Sequence, residues 1–267
     1  MMKIGFIGLG NMGGSLARLV AQDERCSSEL LLANRSRDKA EKIAAEVGGQ
    51  PVSNAEVFAQ AEVIFLGIKP AQFEGLLADY QEVLEERDSL LLVSMAAGLP
   101  LETLENLIPS HHRWIRIMPN TPVVVGEGVI SFALSQQANQ ADEDLLWELL
   151  SSTGLLVKLD EKQLDAATAL AGCGPAFVYL FIEALADAGV RAGLSRDISL
   201  QLANQTLLGA AKLSQISGQH PAQLKDQVCS PAGSTIAGVA SLEENAFRGT
   251  VMDAVQAAYK RTQELGK

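Results

Sequence analysis

The stretch KIGFIGLGNMG, Lys3 to Gly13, runs an apolar segment into three glycines spaced G-x-G-x-x-G at Gly8, Gly10 and Gly13. The apolar part is short, interrupted by glycine and followed by no small-residue cleavage site, so it reads as a buried strand, not a leader peptide. From about Met12 to Ala21 the apolar spacing becomes that of an amphipathic helix. A strand ending in this pattern and opening a helix suits a dinucleotide. The glycines allow a tight turn, close backbone approach to a pyrophosphate and close helix–sheet packing, and the helix N-terminus faces the negative charge. The whole turn, Gly8, Leu9, Gly10, Asn11, Met12 and Gly13, is expected to bind cofactor.

The rhythm continues outward. ELLLAN is a second strand with a helix from Arg37 to Val47 behind it; EVIFLGIKP, ended by Pro70, SLLLVSMAAG and RWIRIMPN are three more. Short apolar runs separated by helical patterns predict βαβ units and a parallel sheet. GVISFAL and GLLVKLD are further strands around the helical ADEDLLWELLSST. From Glu161 the character changes to helices rich in Ala and Leu: Glu161 to Ala171, Pro175 to Ala192, Arg196 to Ser217 and Ala246 to Leu265. The fold class expected is α/β, with an N-terminal Rossmann-type dinucleotide-binding domain over residues 1–160 and an all-helical domain over 161–267.

The helical half is too apolar to stand alone. AFVYLFIEALADAGV, Ala176 to Val190, has few positions to face water. A second copy of the chain covering it makes a homodimer; the first domain packing over it is the other solution. The longest apolar stretch, Ala166 to Leu185, contains Gly172, Gly174, Pro175 and Glu183 and is expected to be a buried helix broken by a turn, with no membrane span. The net charge of −11 over 267 residues argues against nucleic acid as a partner. Cys26, Cys173 and Cys229 are scattered and odd in number, which fits a reducing cytoplasm and offers no metal site.

The end of the second strand chooses between cofactors. A carboxylate there would bind the ribose 2′-hydroxyl of NADH. The chain has Asn34-Arg35-Ser36 instead, and Arg35 and Ser36 can hydrogen-bond a 2′-phosphate, so NADPH is expected over a weaker NADH. Asn54, Ile68-Lys69-Pro70 and Ala97-Gly98 fall at the carboxyl ends of strands, the edge along which open parallel sheets bind ligands. On position alone Lys69 reads equally as an exposed loop lysine.

A strong proton donor is harder to find. His111, His112 and His220 all read as surface residues, and the Ala166 to Leu185 helix has no lysine. Far downstream, CSPAGSTIAG (Cys229 to Gly238) carries a proline, small residues and two hydroxyls, Ser234 and Thr235, where a helix begins. Free backbone N–H groups from Ala232 to Thr235 would then suit a small carboxylate; two ordinary capping residues are the alternative. An iminium carbon is already electrophilic, so a C=N reducer needs only a hydrogen bond where a carbonyl reducer needs an acid.

At this point the chain resembles the pyrroline-5-carboxylate reductase family over nearly its whole length. IGFIGLGNMG, NRS, LGIKP, SMAAG, RIMPNTP, TALAGCGPAF and DQVCSPAGSTIAGVASLEENAFR occur in the family's order. The resemblance implies reduction of 1-pyrroline-5-carboxylate to L-proline. It also implies a substrate carboxylate held by the backbone of Gly233, Ser234 and Thr235, and the Thr235 hydroxyl at the ring nitrogen as the catalytic contact. Met118 and Asn120 of MPNTP are implied to line the substrate site where the two domains meet. Helical dimers are implied, and decamers occur in the family. The chain departs from the family pattern at Ala171 and Cys173, where serines are usual, and at Ala232, where glycine is usual. A reductase of another cyclic imine or of a 2-ketoacid, and a protein that senses NADPH without oxidising it, are the rival readings.

Overall fold

The computed structural model describes residues 1–22 and 28–265; Cys26 lies outside the described residues. Packing divides the chain into two units. One holds Met1–Cys173 with the chain from Ala258 onward, the other Gly174–Ala257.

The first unit is built on an eight-stranded sheet: β1 (Met2–Ile7), β2 (Ser28–Ala33), β3 (Gln50–Pro51), β4 (Val63–Leu66), β5 (Leu91–Ser94), β6 (Arg113–Pro119), β7 (Gly128–Leu134) and β8 (Gly154–Lys158). Its helices are α1 (Asn11–Gln22), α2 (Arg37–Val47), α3 (Asn54–Gln60), α4 (Phe73–Asp79), α5 (Gln81–Glu86), α6 (Leu101–Glu105), α7 (Gln140–Leu150) and α8 (Glu161–Ala167). The strand order is β3-β2-β1-β4-β5-β6-β7-β8, parallel from β3 to β6. The chain runs from β1 through β2 to β3 on one side and then crosses to β4 on the other side of β1, which puts the topological switch point between β1 and β4. The parallel pattern reverses at β7, antiparallel to β6, because the link over residues 120–127 is too short for a crossover. β3, two residues long, left no period-2 signal in the sequence.

The strands read as continuous apolar runs because helices cover both faces. Ile4, Phe6, Leu30, Leu32, Val63 and Phe65 point into one core with α1, α2 and α7. The alternate residues Ile7, Leu31, Ile64 and Leu66 point into the other, with α3, α4 and α6. Phe6 and Phe65 stack across the β1–β4 pair with ring centroids 4.7 Å apart.

The division by packing comes thirteen residues after the change to helix expected near Asp160, for a physical reason. Leu164 on α8 is fully buried in the second core. The buried Arg116 of β6 holds Glu161 and Asp165 at 3.2 Å each. These contacts tie α8 to the sheet. α8 runs into a π-helical turn, Thr168–Gly172, and a bend at Cys173.

The second unit is all helix: α9 (Gly174–Arg191), α10 (Arg196–Ser217), α11 (Pro221–Gln227), α12 (Ser234–Glu244) and the first part of α13 (Phe247–Leu265). α9 and α10 lie side by side, and Gly189 is small enough for Ser199 to pack where its Cβ would stand. Over Gly174–Ala257 only Ala186, Ser199 and Ala203 are buried. The buried helix expected over Ala166 to Leu185 is therefore exposed in the single chain, with Leu180 at 64%. The 31-residue span Glu161–Arg191 is long and apolar enough to cross a membrane by length and composition; the π-turn and the bend at Cys173 interrupt it.

Candidate functional site

Gly8 directly follows β1 with φ +92°, a left-handed conformation that disfavours any side chain. Its N–H donates to Ala33 O at 2.9 Å, and Gly67 N–H, just past β4, donates to Ile7 O at 2.8 Å. A Cβ at Gly8 would sit 2.7 Å from the Gly67 carbonyl; one at Gly13 would sit 2.2 Å from Gly8 O. Gly8, Gly13 and Gly67 thus let three backbone segments cross at the switch point. Gly10 is different. A Cβ there would meet no protein atom within 4 Å.

Around this crossing lies a cavity of about 610 Å³. Of the residues expected to bind cofactor, Gly8, Gly10, Asn34, Arg35 and Ser36 line it, with Asn54, Ile68 and Lys69 from the neighbouring strand ends. Asn34 is fixed as a strut. Its Oδ1 accepts from Leu9 N–H at 3.0 Å and its Nδ2 donates to Ser36 O at 3.1 Å, which joins the two strand-end loops. Ser36 stands at the N-cap of α2 yet makes no side-chain capping bond. Lys69 is exposed and lines the cavity.

Other expected residues lie elsewhere. Leu9 and Asn11 face a second cavity between α1 and α2. Met12 and Gly13 pack inward, Pro70 opens a one-turn 3₁₀ helix, and Ala97-Gly98 form the turn after β5, outside the lining of the large cavity. Sequence reasoning did not single out Gly67, Gln72, Leu76 and Asp79, which also line it. Gly67 carried a usable signal, a glycine directly after β4 matching Gly8 directly after β1.

The SPAGST block forms a turn and a helix start. Gly233 N–H donates to Ser230 O at 3.0 Å, with Pro231 second and Ala232 third in the turn. Ala232 has φ +57°, as a type II turn requires at its third position. Gly233 is extended and is the N-cap of α12, with no side-chain cap; a Cβ on it would fall 2.3 Å from Ser230 Oγ. The free N–H groups expected from Ala232 to Thr235 are thus shifted: Gly233 spends its own on the turn, and those of Ser234, Thr235 and Ile236 are open. Ser234 and Thr235 lie inside the helix, exposed, and neither hydroxyl has a protein partner among the described residues. They are not caps. The site can take a small carboxylate beside a hydroxyl.

Two expectations need correction. Asn120 is buried, with Oδ1 accepting from Val129 N–H at 2.8 Å and Nδ2 donating to Ala171 O at 3.0 Å. Those bonds clamp the π-turn onto β7, so Asn120 acts as a brace, while Met118 at the end of β6 stays half-buried. His112 is not a surface residue. Its Nδ1 accepts from Leu90 N–H at 3.1 Å and its Nε2 pairs with Leu84 O at 2.8 Å, which sets a neutral ring protonated at Nε2. Burial pushes its pKa below the ordinary 6.5. His111 is exposed and His220 caps α11 through Nδ1.

Comparison with known proteins places this geometry. Residues 161–265 match the family described as pyrroline-5-carboxylate reductase dimerisation, and residues 3–98 match that described as NADP oxidoreductase, coenzyme F420-dependent. A pyrroline-5-carboxylate reductase of Pisum sativum is 43% identical over 98% of this chain and 95% of its own. One from a Synechocystis strain is 40% identical over 100% and 99%. The crystal structure of pyrroline carboxylate reductase from Plasmodium falciparum with NADP bound superposes with a TM-score of 0.87 at 36% identity, covering 100% of this chain and 98% of that one. With such identity over nearly the full length of its relatives, the chain belongs to the pyrroline-5-carboxylate reductase family.

Proposed function

We propose that the chain reduces the C=N bond of 1-pyrroline-5-carboxylate with NADPH to give L-proline. The observation that carries the reading is the uncapped start of α12, where three open N–H groups and the free hydroxyls of Ser234 and Thr235 stand together. The residues of the large cavity fit the cofactor. Gly8, Gly13 and Gly67 are needed by the protein's own packing, whereas the bare Cα of Gly10 has no protein neighbour to explain it and suits backbone approach by a pyrophosphate. The N-terminus of α1 faces that approach. Arg35 and Ser36 offer a cation and a hydroxyl to a 2′-phosphate, and no carboxylate ends β2.

NADPH, when bound, supplies the hydride that adds to the imine carbon. The chain's own work is to bind and orient. The α12 N-terminus holds the carboxylate of the substrate, aided by its dipole. The Thr235 hydroxyl, fixed on the first turn, holds a hydrogen bond at the ring nitrogen, where the proton is needed as the hydride arrives. No strong acid is required when the ring nitrogen arrives protonated, because an iminium carbon takes the hydride to give the neutral amine directly.

A second copy of the chain completes the helical unit, since a unit with three buried residues has too little core to fold by itself. The reading is a homodimer through the helical domain, and a reducing cytoplasm suits the free thiols Cys173 and Cys229. The test is NADPH oxidation by the purified protein with 1-pyrroline-5-carboxylate, with NADH and with 1-pyrroline-2-carboxylate. Turnover with the first substrate and not the last is expected. Binding of NADPH with no oxidation under any pairing would return the reading to a sensor.

A further inference from the structure

The second cavity, about 340 Å³, lies on the other side of the Gly10–Asn11 turn, between α1 and α2, and its charge sets it apart. Arg18, Lys39 and Lys42 all line it, in a chain of net charge −11. Arg18 is accounted for: its guanidinium meets Glu46 at 2.5 Å and donates to Gly14 O at 3.1 Å. Arg37, next door on α2, is paired with Glu41 at 2.9 Å. Lys39 and Lys42 have no ion-pair partner among the described residues. Lys39 also stands in the first turn of α2, where the helix dipole disfavours a cation. Asp38 answers the dipole in that turn but makes no ion pair with Lys39, and an unpaired cation in a cavity wall at a helix start marks a functional position.

Gly10 belongs to both cavities, so a ligand crossing the Gly10–Asn11 turn touches both. Arg35 and Ser36 line the first, and Ser36 keeps its hydroxyl out of capping. We infer that Lys39 is a specificity-determining residue, its ammonium holding the 2′-phosphate of NADPH from the α1–α2 side while Arg35 and Ser36 hold it from the sheet edge. The inference rests on the NADPH reading above. A phosphate dianion has two charges and three acceptor oxygens, whereas a single guanidinium carries one charge and its fork meets two of the oxygens. Lys42, one turn along α2, adds to the same field. NADH has no group for Lys39 to hold, so its binding is indifferent to that side chain.

The test is equilibrium titration of the full-length protein and its Lys39→Ala, Lys39→Gln and Lys39→Arg variants. The probes are NADPH, NADH, adenosine 2′,5′-bisphosphate and adenosine 5′-monophosphate. Lys39→Ala and Lys39→Gln should weaken NADPH and the bisphosphate about tenfold, less at high salt, and NADH and the monophosphate less than about twofold. Lys39→Arg should keep most of the preference. A wild-type protein that binds NADPH well and a Lys39→Ala variant with the same NADPH-to-NADH ratio overturn the assignment alone. A wild-type protein with no preference for NADPH overturns the cofactor reading with it.

Discussion

The two units of this chain are opposites in how they hold themselves together. The sheet unit buries its strands on both faces and closes two cores within one chain. The helical unit leaves most of its large apolar side chains in the open, Ile216 at 73% among them. Both use the same residue types, so hydrophobicity does not separate them. What separates them is whether the elements that must cover each face lie on the same chain. A βαβ unit carries its own cover, because each crossover lays a helix on the sheet. A few helices with apolar surface on several sides have no internal solution.

The comparison breaks most visibly at the exposed helices. If the proposed dimer covers this face, charges at two of them, Leu180→Asp with Leu213→Asp, should abolish it in sedimentation or light scattering and lower stability by about 3–6 kcal/mol, taking ~1.5–3 kcal/mol per buried leucine. A monomer–dimer balance unmoved by both charges would show that this face is not the covered one. Thr235→Ala tests the chemistry of the same unit: turnover should fall roughly ten- to a thousandfold with the fold intact, and Thr235→Ser should retain most of it. Unchanged kinetics in the alanine variant would remove Thr235 from the mechanism.

Within the sheet unit the glycines sharpen the contrast between packing and binding. Gly13→Ala drives a methyl into Gly8 O and should cost about 1–3 kcal/mol of stability by thermal melting. Gly10→Ala should melt with the wild type yet bind NADPH weakly, since its methyl meets only the ligand. Equal melting losses for the two would merge the roles.

His112 gives the sheet unit a pH dependence. Its folded pKa is lowered by burial, so the unfolded chain takes up a proton there first as pH falls. The stability from its neutral ring is complete above about pH 6.5 and is lost on acidification toward the folded value. His112→Gln should flatten that part of the melting-temperature profile. The smallest effect is expected at Ala232. Glycine at its positive φ should stabilise the protein by about 1 kcal/mol, and no gain would mean the turn relaxes around the methyl.

Much of the fold was legible because its signals are local. The apolar runs that became β1, β2, β4, β5 and β6, and the helix starts after them, follow from spacing alone. The glycine triplet and Asn34-Arg35-Ser36 placed one wall of the cavity for the same reason. β3 was missed because two residues carry no period, and His112 because burial in a polar stretch is set by Leu84 and Leu90, distant in sequence. Asn120 was read as a substrate contact, but its partners, Val129 and Ala171, come from a strand and a π-turn that only folding brings together.

The sequence by itself determined the βαβ order and the change to helix near Glu161. Those depend on residue type and on neighbours a few positions away. Tertiary structure alone decided that Gly67 must match Gly8, that α8 belongs to the sheet through Arg116, and that Lys39 shares a hollow with Gly10. Each is a contact between segments far apart along the chain, and such contacts are set by how close-packed backbones cross, which no local pattern records.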